Sequence, residues 1–273
     1  MHFLLVFDAD NTLWDTNSVF HEAHVAMLEV FEAIQLLSGA RHQVEQLRAI
    51  DRALIRHFGR FEYGFENLAT AIAYHYGHQA DPDAAAAYAL AHGAQALAAP
   101  LREAVEQAYQ THANALEQIP PLFPGVADLL GHLLTYRTAN PHMATVIFSE
   151  GHPQRLARTI DAYHIARHGY FNEIVIELKT SQAFERVKHI GRRYLDIPDE
   201  EEVVTIMIGD SMQRDIRLAN EAGYTTIYIP GRFEGRQEPQ TALEQPDFEL
   251  AHIAELPSIF ASLGLHLPSK ALP

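Results

Sequence analysis

His2-Phe3-Leu4-Leu5-Val6-Phe7-Asp8-Ala9-Asp10-Asn11-Thr12 is an apolar run that gives way at once to two carboxylates and turn-forming residues. Phe3 to Phe7 shows no alternation of apolar and polar positions, so it reads as a strand covered on both faces. It is too short for an export signal, lacks a basic start, and meets charge immediately at Asp8. Four runs of the same kind recur in the second half. Ala144 to Phe148 precedes Ser149-Glu150-Gly151, and Glu173 to Leu178 precedes Lys179-Thr180-Ser181. Val203 to Ile208 precedes Gly209-Asp210-Ser211, and Thr225 to Ile229 precedes Pro230-Gly231. Helical spacing fills the intervals: Phe184, Val187, Ile190 and Tyr194 in one, and Ile216, Ala219 and Ala222 before Gly223 in another. This alternation predicts an α/β fold, a Rossmann-like, doubly wound parallel sheet. Ligands of such sheets gather at the carboxyl ends of the strands, where each of these polar turns falls.

Residues 17–116 hold no comparable strand run and are rich in Ala, Leu, Glu, Gln and Arg, which predicts a helical block. One helix start is explicit: Asp81 as N-cap, Pro82 at the first helical position, Asp83 favourable to the dipole, then Ala84 to Leu90. Pro120-Pro121 and Phe123-Pro124-Gly125 mark the return to the core, and Val126 to Leu134 begins a helix leading to the strand at Ala144. The expected organisation is a Rossmann-like core of residues 1–16 and 117–273 with an all-helical cap, 17–116, inserted after the first strand. The segment from Pro246 to Phe260 is expected to add a strand and a helix at the core edge.

The composition excludes several classes. With 20 Lys+Arg against 35 Asp+Glu the formal charge is −15, and no basic stripe offsets it, so nucleic acid and anionic membrane surfaces are not expected partners. The absence of cysteine removes disulfides, thiolate metal sites and a Cys nucleophile. No apolar run reaches the ~18 residues of a transmembrane helix, and the cytoplasm is the default location. Monomer and homodimer both remain open.

Asp8 and Asp10, two residues apart at a strand end, can lean into one crevice. Asp10-Asn11-Thr12 could equally be a plain turn or helix cap. GDSMQRD, after another strand, adds Asp210 and Asp215. Four carboxylates converging on one crevice repel one another unless a cation intervenes, and a hard, oxygen-ligated ion such as Mg2+ answers that need. Ser149 and Lys179, each at a further strand end, supply a hydroxyl and a cation suited to a phosphoryl group.

FDADNT, Ser149 in VIFSEG, Lys179 and GDSMQRD, in this order from Phe7 to Asp215, resemble the four motifs of the haloacid dehalogenase superfamily of phosphohydrolases. Phe123-Pro124-Gly125-Val126 and DIRLANEAG resemble it too. The resemblance implies the cap placed between the first two motifs. It also implies a magnesium-dependent phosphatase acting on a small phosphorylated metabolite through an aspartyl phosphate. Asp8 would be the nucleophile and Asp10 the general acid and base. Ser149, Lys179, Glu150 and Thr12 would serve the phosphate side, with Thr12 supporting the turn. Asp8, Asp210 and Asp10, the last through its main-chain carbonyl, would hold the metal, with Asp215 and Ser211 behind them. Glu150 stands where many members have Asn, and Thr180 where many have Pro. An acid at position 10 separates phosphate-ester enzymes from dehalogenases, since a leaving halide needs no proton. The alternative within the family is a phosphomutase; outside it, a regulatory or protein-binding module with a vestigial metal site, which would predict a missing motif residue.

Other features carry weaker expectations. His21 and His24 do not have the HExxH spacing, and no third ligand is identifiable, so they do not define a transition-metal site. His57, His75, His78, His92 and His112 are expected on solvated cap faces. Trp14, the sole tryptophan, is expected either at the substrate entrance or packed at the hinge. Phe58, Phe61, Tyr63 and Phe65 read as cap core or substrate contacts, and Arg232 and Arg236 as surface residues or anion contacts. Lys188, nine residues beyond Lys179 and inside the predicted helix, is expected to lie outside the site.

Overall fold

The computed structural model describes residues 1–59, 64–198, 200–231 and 236–268. Phe61, Tyr63 and Arg232 lie outside them. The chain divides into two compact units, Met1–Asn17 with Ile119–Pro273, and Ser18–Gln118.

The first unit is built on a six-stranded, all-parallel sheet in the order β3-β2-β1-β4-β5-β6. The strands are β1 (His2–Phe7), β2 (Met143–Ser149), β3 (Glu173–Ile176), β4 (Val203–Gly209), β5 (Thr225–Tyr228) and β6 (Phe248–Glu249). Every residue of β1 is buried, and each from Phe3 to Phe7 faces a partner on both sides, as Phe7 does with Ile147 and Ile208. Its odd positions Phe3, Leu5 and Phe7 join one apolar cluster with Leu129, Leu156 and Phe260, and its even positions Leu4 and Val6 join another with Phe184, Val187 and Tyr224. This two-sided cover is why the run is apolar throughout.

The helices that bracket the sheet are α6 (Val126–Ala139), α7 (Pro153–Ala162), α8 (Ile165–His168), α9 (Ser181–Leu195), α10 (Leu218–Glu221) and α11 (Leu256–Ser262). The expected edge strand and terminal helix are present as β6 and α11. α9 buries Ala183, Phe184, Val187, Gly191 and Leu195, whereas Tyr194, expected on that face, is 45% exposed. Gly191 accounts for the difference: a Cβ there would lie 2.5 Å from the Leu4 methyls, so the helix packs on β1 through its glycine and turns Tyr194 outward, where the hydroxyl donates to Glu173 at 2.9 Å. β3 stops at Ile176, short of the expected Leu178, which is 66% exposed, and the chain then turns Lys179 inward.

The second unit is helical, with α1 (Thr16–Ala33) running into it and α2 (Val44–Phe58), α3 (Phe65–His78), α4 (Pro82–His92) and α5 (Ala99–Ala115) following. Leu28, Leu47, Leu54, Leu68, Ile72 and Val105 belong to its core. Asp81 caps α4 as its sequence implies, accepting from the Ala84 N–H at 2.8 Å with Pro82 behind it. His57, His78 and His92 are exposed, but His112 is completely buried, contrary to the expectation for cap histidines. α5 turns His112 onto the same face as Ala104, Val105 and Ala108. Phe58 is 40% exposed, and Phe65 packs against the unit's core. No described helix is long and apolar enough to cross a membrane.

Candidate active site

The sheet order reverses at β1, and the carboxyl ends of β1 and β4, its neighbour, carry Asp8 and Asp210. The Asp8 N–H donates to the Ile208 carbonyl at 2.9 Å, continuing the β1–β4 ladder and fixing the backbone from which the carboxylate projects. Asp8 is 6% exposed. Its Oδ1 accepts from Lys179 Nζ at 2.5 Å and its Oδ2 from Thr12 Oγ1 at 3.2 Å. Lys179 also donates to Asp215 Oδ1 at 2.6 Å, and the other oxygen of Asp215 accepts the Ser211 N–H at 3.0 Å. Gly209 makes room for this: a Cβ there would fall 2.3 Å from the Asp215 carboxyl. Lys179 lies beside the Phe148 ring, 5.6 Å from its centroid. Thr180, directly after it, caps α9 by accepting from the Ala183 N–H at 3.1 Å, and so turns the chain without entering the site.

Asp10 is held apart from this cluster. Its Oδ1 accepts from Trp14 Nε1 at 2.9 Å and Thr16 Oγ1 at 2.5 Å, and its Oδ2 from Arg155 at 3.3 Å. Asn11, with φ of 65°, supplies the left-handed turn that brings Trp14 back beneath it, the Asn11 N–H donating to the Trp14 carbonyl at 2.8 Å. Trp14 has no exposed surface, so it packs within the core and does not line an entrance. Its indole is large enough to fill the space beneath the loop and has one N–H, which Asp10 accepts.

Asp8, Asp10, Ser149, Glu150, Lys179, Asp210, Ser211 and Asp215 all line one crevice of about 230 Å³, together with Gly151 and Arg214. Thr12 stands behind Asp8. Ser149 is 1% exposed, and its hydroxyl accepts the Gly151 N–H at 3.0 Å. Lys188 lies outside the crevice and donates to the Ala222 carbonyl at 3.1 Å. Arg236 is likewise engaged elsewhere, with Glu249 at 2.6 Å and with Glu238.

Among the described residues, Asp8, Asp210 and Asp215 form the group whose carboxylate oxygens come within 4.8 Å of one another. The Asp10 side chain is not in it, being held by Trp14, Thr16 and Arg155. Burial holds the Asp8 carboxyl far above the ordinary carboxylate range; Lys179 draws it down, while Asp215 and Asp10 push it back up. Burial alone would lower the Lys179 ammonium, but Asp215 and Asp8 override it and keep it charged. The carboxylates thus exceed what one lysine neutralises, and an all-oxygen donor set of this kind fits a hard divalent cation. Asp8 and Asp215 each spend both oxygens on hydrogen bonds, Asp8 on Lys179 and Thr12 and Asp215 on Lys179 and Ser211, and all three carboxylates of the group could contribute to holding an ion.

Sequence patterns did not single out Arg155, Thr16, Gly151 or Arg214. No periodicity marks Arg155, which reaches Asp10 across 145 positions of chain. Gly151 after Ser149 was legible as a turn, and its reason is spatial: a Cβ there would lie 2.4 Å from Asp10 Oδ2.

Fold and site define a doubly wound α/β protein whose carboxylate-lined crevice sits at the topological switch point. The chain belongs to the haloacid dehalogenase-like hydrolases, whose family model matches residues 4–223. Glyceraldehyde 3-phosphate phosphatase of Methanopyrus kandleri is 32% identical over 100 residues, 36% of this chain and 41% of that protein. The match therefore spans about two fifths of that relative. The HAD-hydrolase YfnB of Bacillus subtilis, solved bound to magnesium, shares the fold at a TM-score of 0.59 and 20% identity, over 95% of this chain and 99% of that one. A haloacid dehalogenase-like family hydrolase of Xanthomonas campestris does so at 0.60 and 18% identity, over 96% of each chain.

Proposed function

We propose that this hydrolase is a magnesium-dependent phosphatase of a small phosphorylated metabolite, working through an aspartyl phosphate on Asp8. One observation carries the reading: the two carboxylates of the first loop line one crevice but are held by different partners. Asp8 is buried, oriented by Lys179 and Thr12 and lines the crevice, as a nucleophile must. Asp10 lines the same crevice but is fixed by Trp14, Thr16 and Arg155 and makes no contact with Lys179, which leaves it beside the nucleophile as the carboxyl available to exchange a proton.

In the first step an Asp8 oxygen bonds to phosphorus as the ester oxygen leaves, and Asp10 gives that oxygen its proton. In the second, Asp10 takes a proton from water, whose oxygen bonds to phosphorus and frees Asp8 and inorganic phosphate. Lys179 and Ser149 hold charge on the phosphoryl oxygens through both steps. Bound Mg2+, held by Asp8 and Asp210 with the Asp10 carbonyl, would supply charge neutralisation at the phosphoryl group. Asp215 and Ser211 support Lys179 and the turn after β4. The helical unit, residues 18–118, would be the cap that tunes substrate choice, and the Methanopyrus kandleri relative makes triose phosphates the first substrates to assay.

The test is phosphate release from a panel of sugar and triose phosphates with Mg2+ or chelator, for the native protein and Asp8→Asn. Metal-dependent release that Asp8→Asn abolishes is expected. Release by Asp8→Asn at the native rate refutes the mechanism, and transfer of the phosphoryl group between substrate positions without release would make the protein a mutase.

A further inference from the structure

Glu150, expected on the phosphate side, takes no step in the proposed phosphatase chemistry, and its carboxylate is engaged by protein donors instead. It is the first residue after β2, and its carboxylate bridges two other loops. Oε1 accepts the Lys179 main-chain N–H at 2.5 Å, in the loop after β3, and Oε2 accepts the guanidinium of Arg214, in the π-helical turn Met212–Arg217 after β4. Because β1 lies between β2 and β4, the Glu150–Arg214 pair spans the carboxyl end of the strand that carries Asp8. Both residues line the crevice. The Glu150 side chain is 17% exposed and that of Arg214 44%, so the pair sits at the mouth.

Charge gives the pair its significance. Among the described residues, five carboxylates line the crevice, those of Asp8, Asp10, Glu150, Asp210 and Asp215, against the cations of Lys179 and Arg214 and the Arg155 guanidinium that reaches Asp10. Lys179 is bound to two of those carboxylates, at 2.5 and 2.6 Å. A phosphate ester arrives as an anion, and Glu150 adds negative charge in its path. A neutral side chain at this position would carry no such cost. Arg214 offsets it, and its planar fork of five N–H donors can hold a carboxylate and a phosphate oxygen together.

We propose that Arg214 is a phosphate-binding residue of this site and that it works as a couple with Glu150, the guanidinium neutralising Glu150 and sharing its donors with the incoming phosphoryl group. The inference rests on the phosphatase reading of the same crevice. It requires that the two residues be non-additive, because the harm done by losing Arg214 comes largely from the carboxylate left behind.

The experiment is a two-by-two set: native protein, Arg214→Ala, Glu150→Gln, and Glu150→Gln with Arg214→Ala. Binding of inorganic phosphate in Mg2+ is measured by calorimetry, aryl phosphate turnover is measured in parallel, and circular dichroism verifies folding. Arg214→Ala should weaken phosphate binding and raise KM by about tenfold with kcat little changed, and the double variant should recover most of that loss. Arg214→Lys, which keeps the charge but not the fork, should fall between native and Arg214→Ala. Native affinity in Arg214→Ala overturns the proposal, and a double variant no better than Arg214→Ala overturns the coupling. If the native protein binds phosphate with the expected cycle but turns nothing over, the phosphatase reading fails and only the phosphate-binding role of the Arg214–Glu150 couple is kept. If it neither binds nor turns over, both fail.

Discussion

His112 has no exposed surface, and neither of its ring nitrogens meets a hydrogen-bond partner among the described residues. It is stacked on His24 of α1, with centroids 5.4 Å apart and planes 15° from parallel, and packs against Phe65 at 4.4 Å. Burial pushes the His112 imidazole down to about 4. His24 is pushed down to about 3, by burial first and then by the charges that His112, Arg48 and His21 would bring. The sign follows from the direction. Above the ordinary imidazole value of 6.5 both states are neutral and stability is flat. As pH falls from there, the unfolded chain takes a proton that the native ring refuses, and stability is lost until the native value is reached. At about 1.4 kcal/mol per pH unit, the interval down to about 4 is worth about 3 kcal/mol for His112 alone, of which about 2 is gone by pH 5. His112→Phe keeps a flat ring between His24 and Phe65 and removes both orphaned nitrogens. At pH 7 the variant should be as stable as the native protein or more so, by up to about 2 kcal/mol. Between pH 7 and 5 it should lose about 2 kcal/mol less than the native protein. Urea unfolding followed by far-ultraviolet circular dichroism at the two pH values measures both quantities. Equal pH dependence in the two proteins, or a variant less stable by more than about 1 kcal/mol at pH 7, would refute the reasoning.

Three further substitutions, two in the crevice and one outside it, have defined outcomes. Gly151→Ala places a Cβ 2.4 Å from Asp10 Oδ2 and 3.2 Å from Ser149 Oγ, so displacement of Asp10 should lower kcat by about a hundredfold while the melting temperature stays close to native; unchanged kcat would mean that the Asp10 position is not critical. Lys179→Met leaves Asp8 and Asp215 facing each other without their shared cation and should cost about 3 to 5 kcal/mol of stability at neutral pH as well as activity. Lys188→Ala, outside the crevice, should cost about 1 kcal/mol or less and leave KM and kcat at native values, and the reverse ranking of the two lysines in steady-state kinetics would move the site.

The parallel sheet was legible because its signal is local: an apolar run covered on both faces announces itself residue by residue, and the polar turn that ends it marks a strand end. Asp8, Asp10, Asp210 and Asp215 could be located for the same reason, each at a fixed short distance from such a run. What joins them was not legible. The Lys179 ammonium reaches Asp8 across 171 positions and Arg155 reaches Asp10 across 145, through packing that no spacing encodes. Trp14 was open between entrance and hinge because a lone aromatic after a loop has the same sequence signature in both roles, and only its burial and its N–H on Asp10 decide. His112 and Tyr194 show the same limit on helices. The 3.6-residue period gives a face but not its rotation, and a neighbour such as Gly191, through which the helix approaches Leu4, sets the rotation by contact distance. The succession of strands and helices and the chemical types at the strand ends could be read along the chain, since both depend on near neighbours. Which carboxylate meets the lysine, which is held by indole and guanidinium, and which arginine neutralises Glu150 emerge only in the folded chain, since those pairings depend on distances across the sheet.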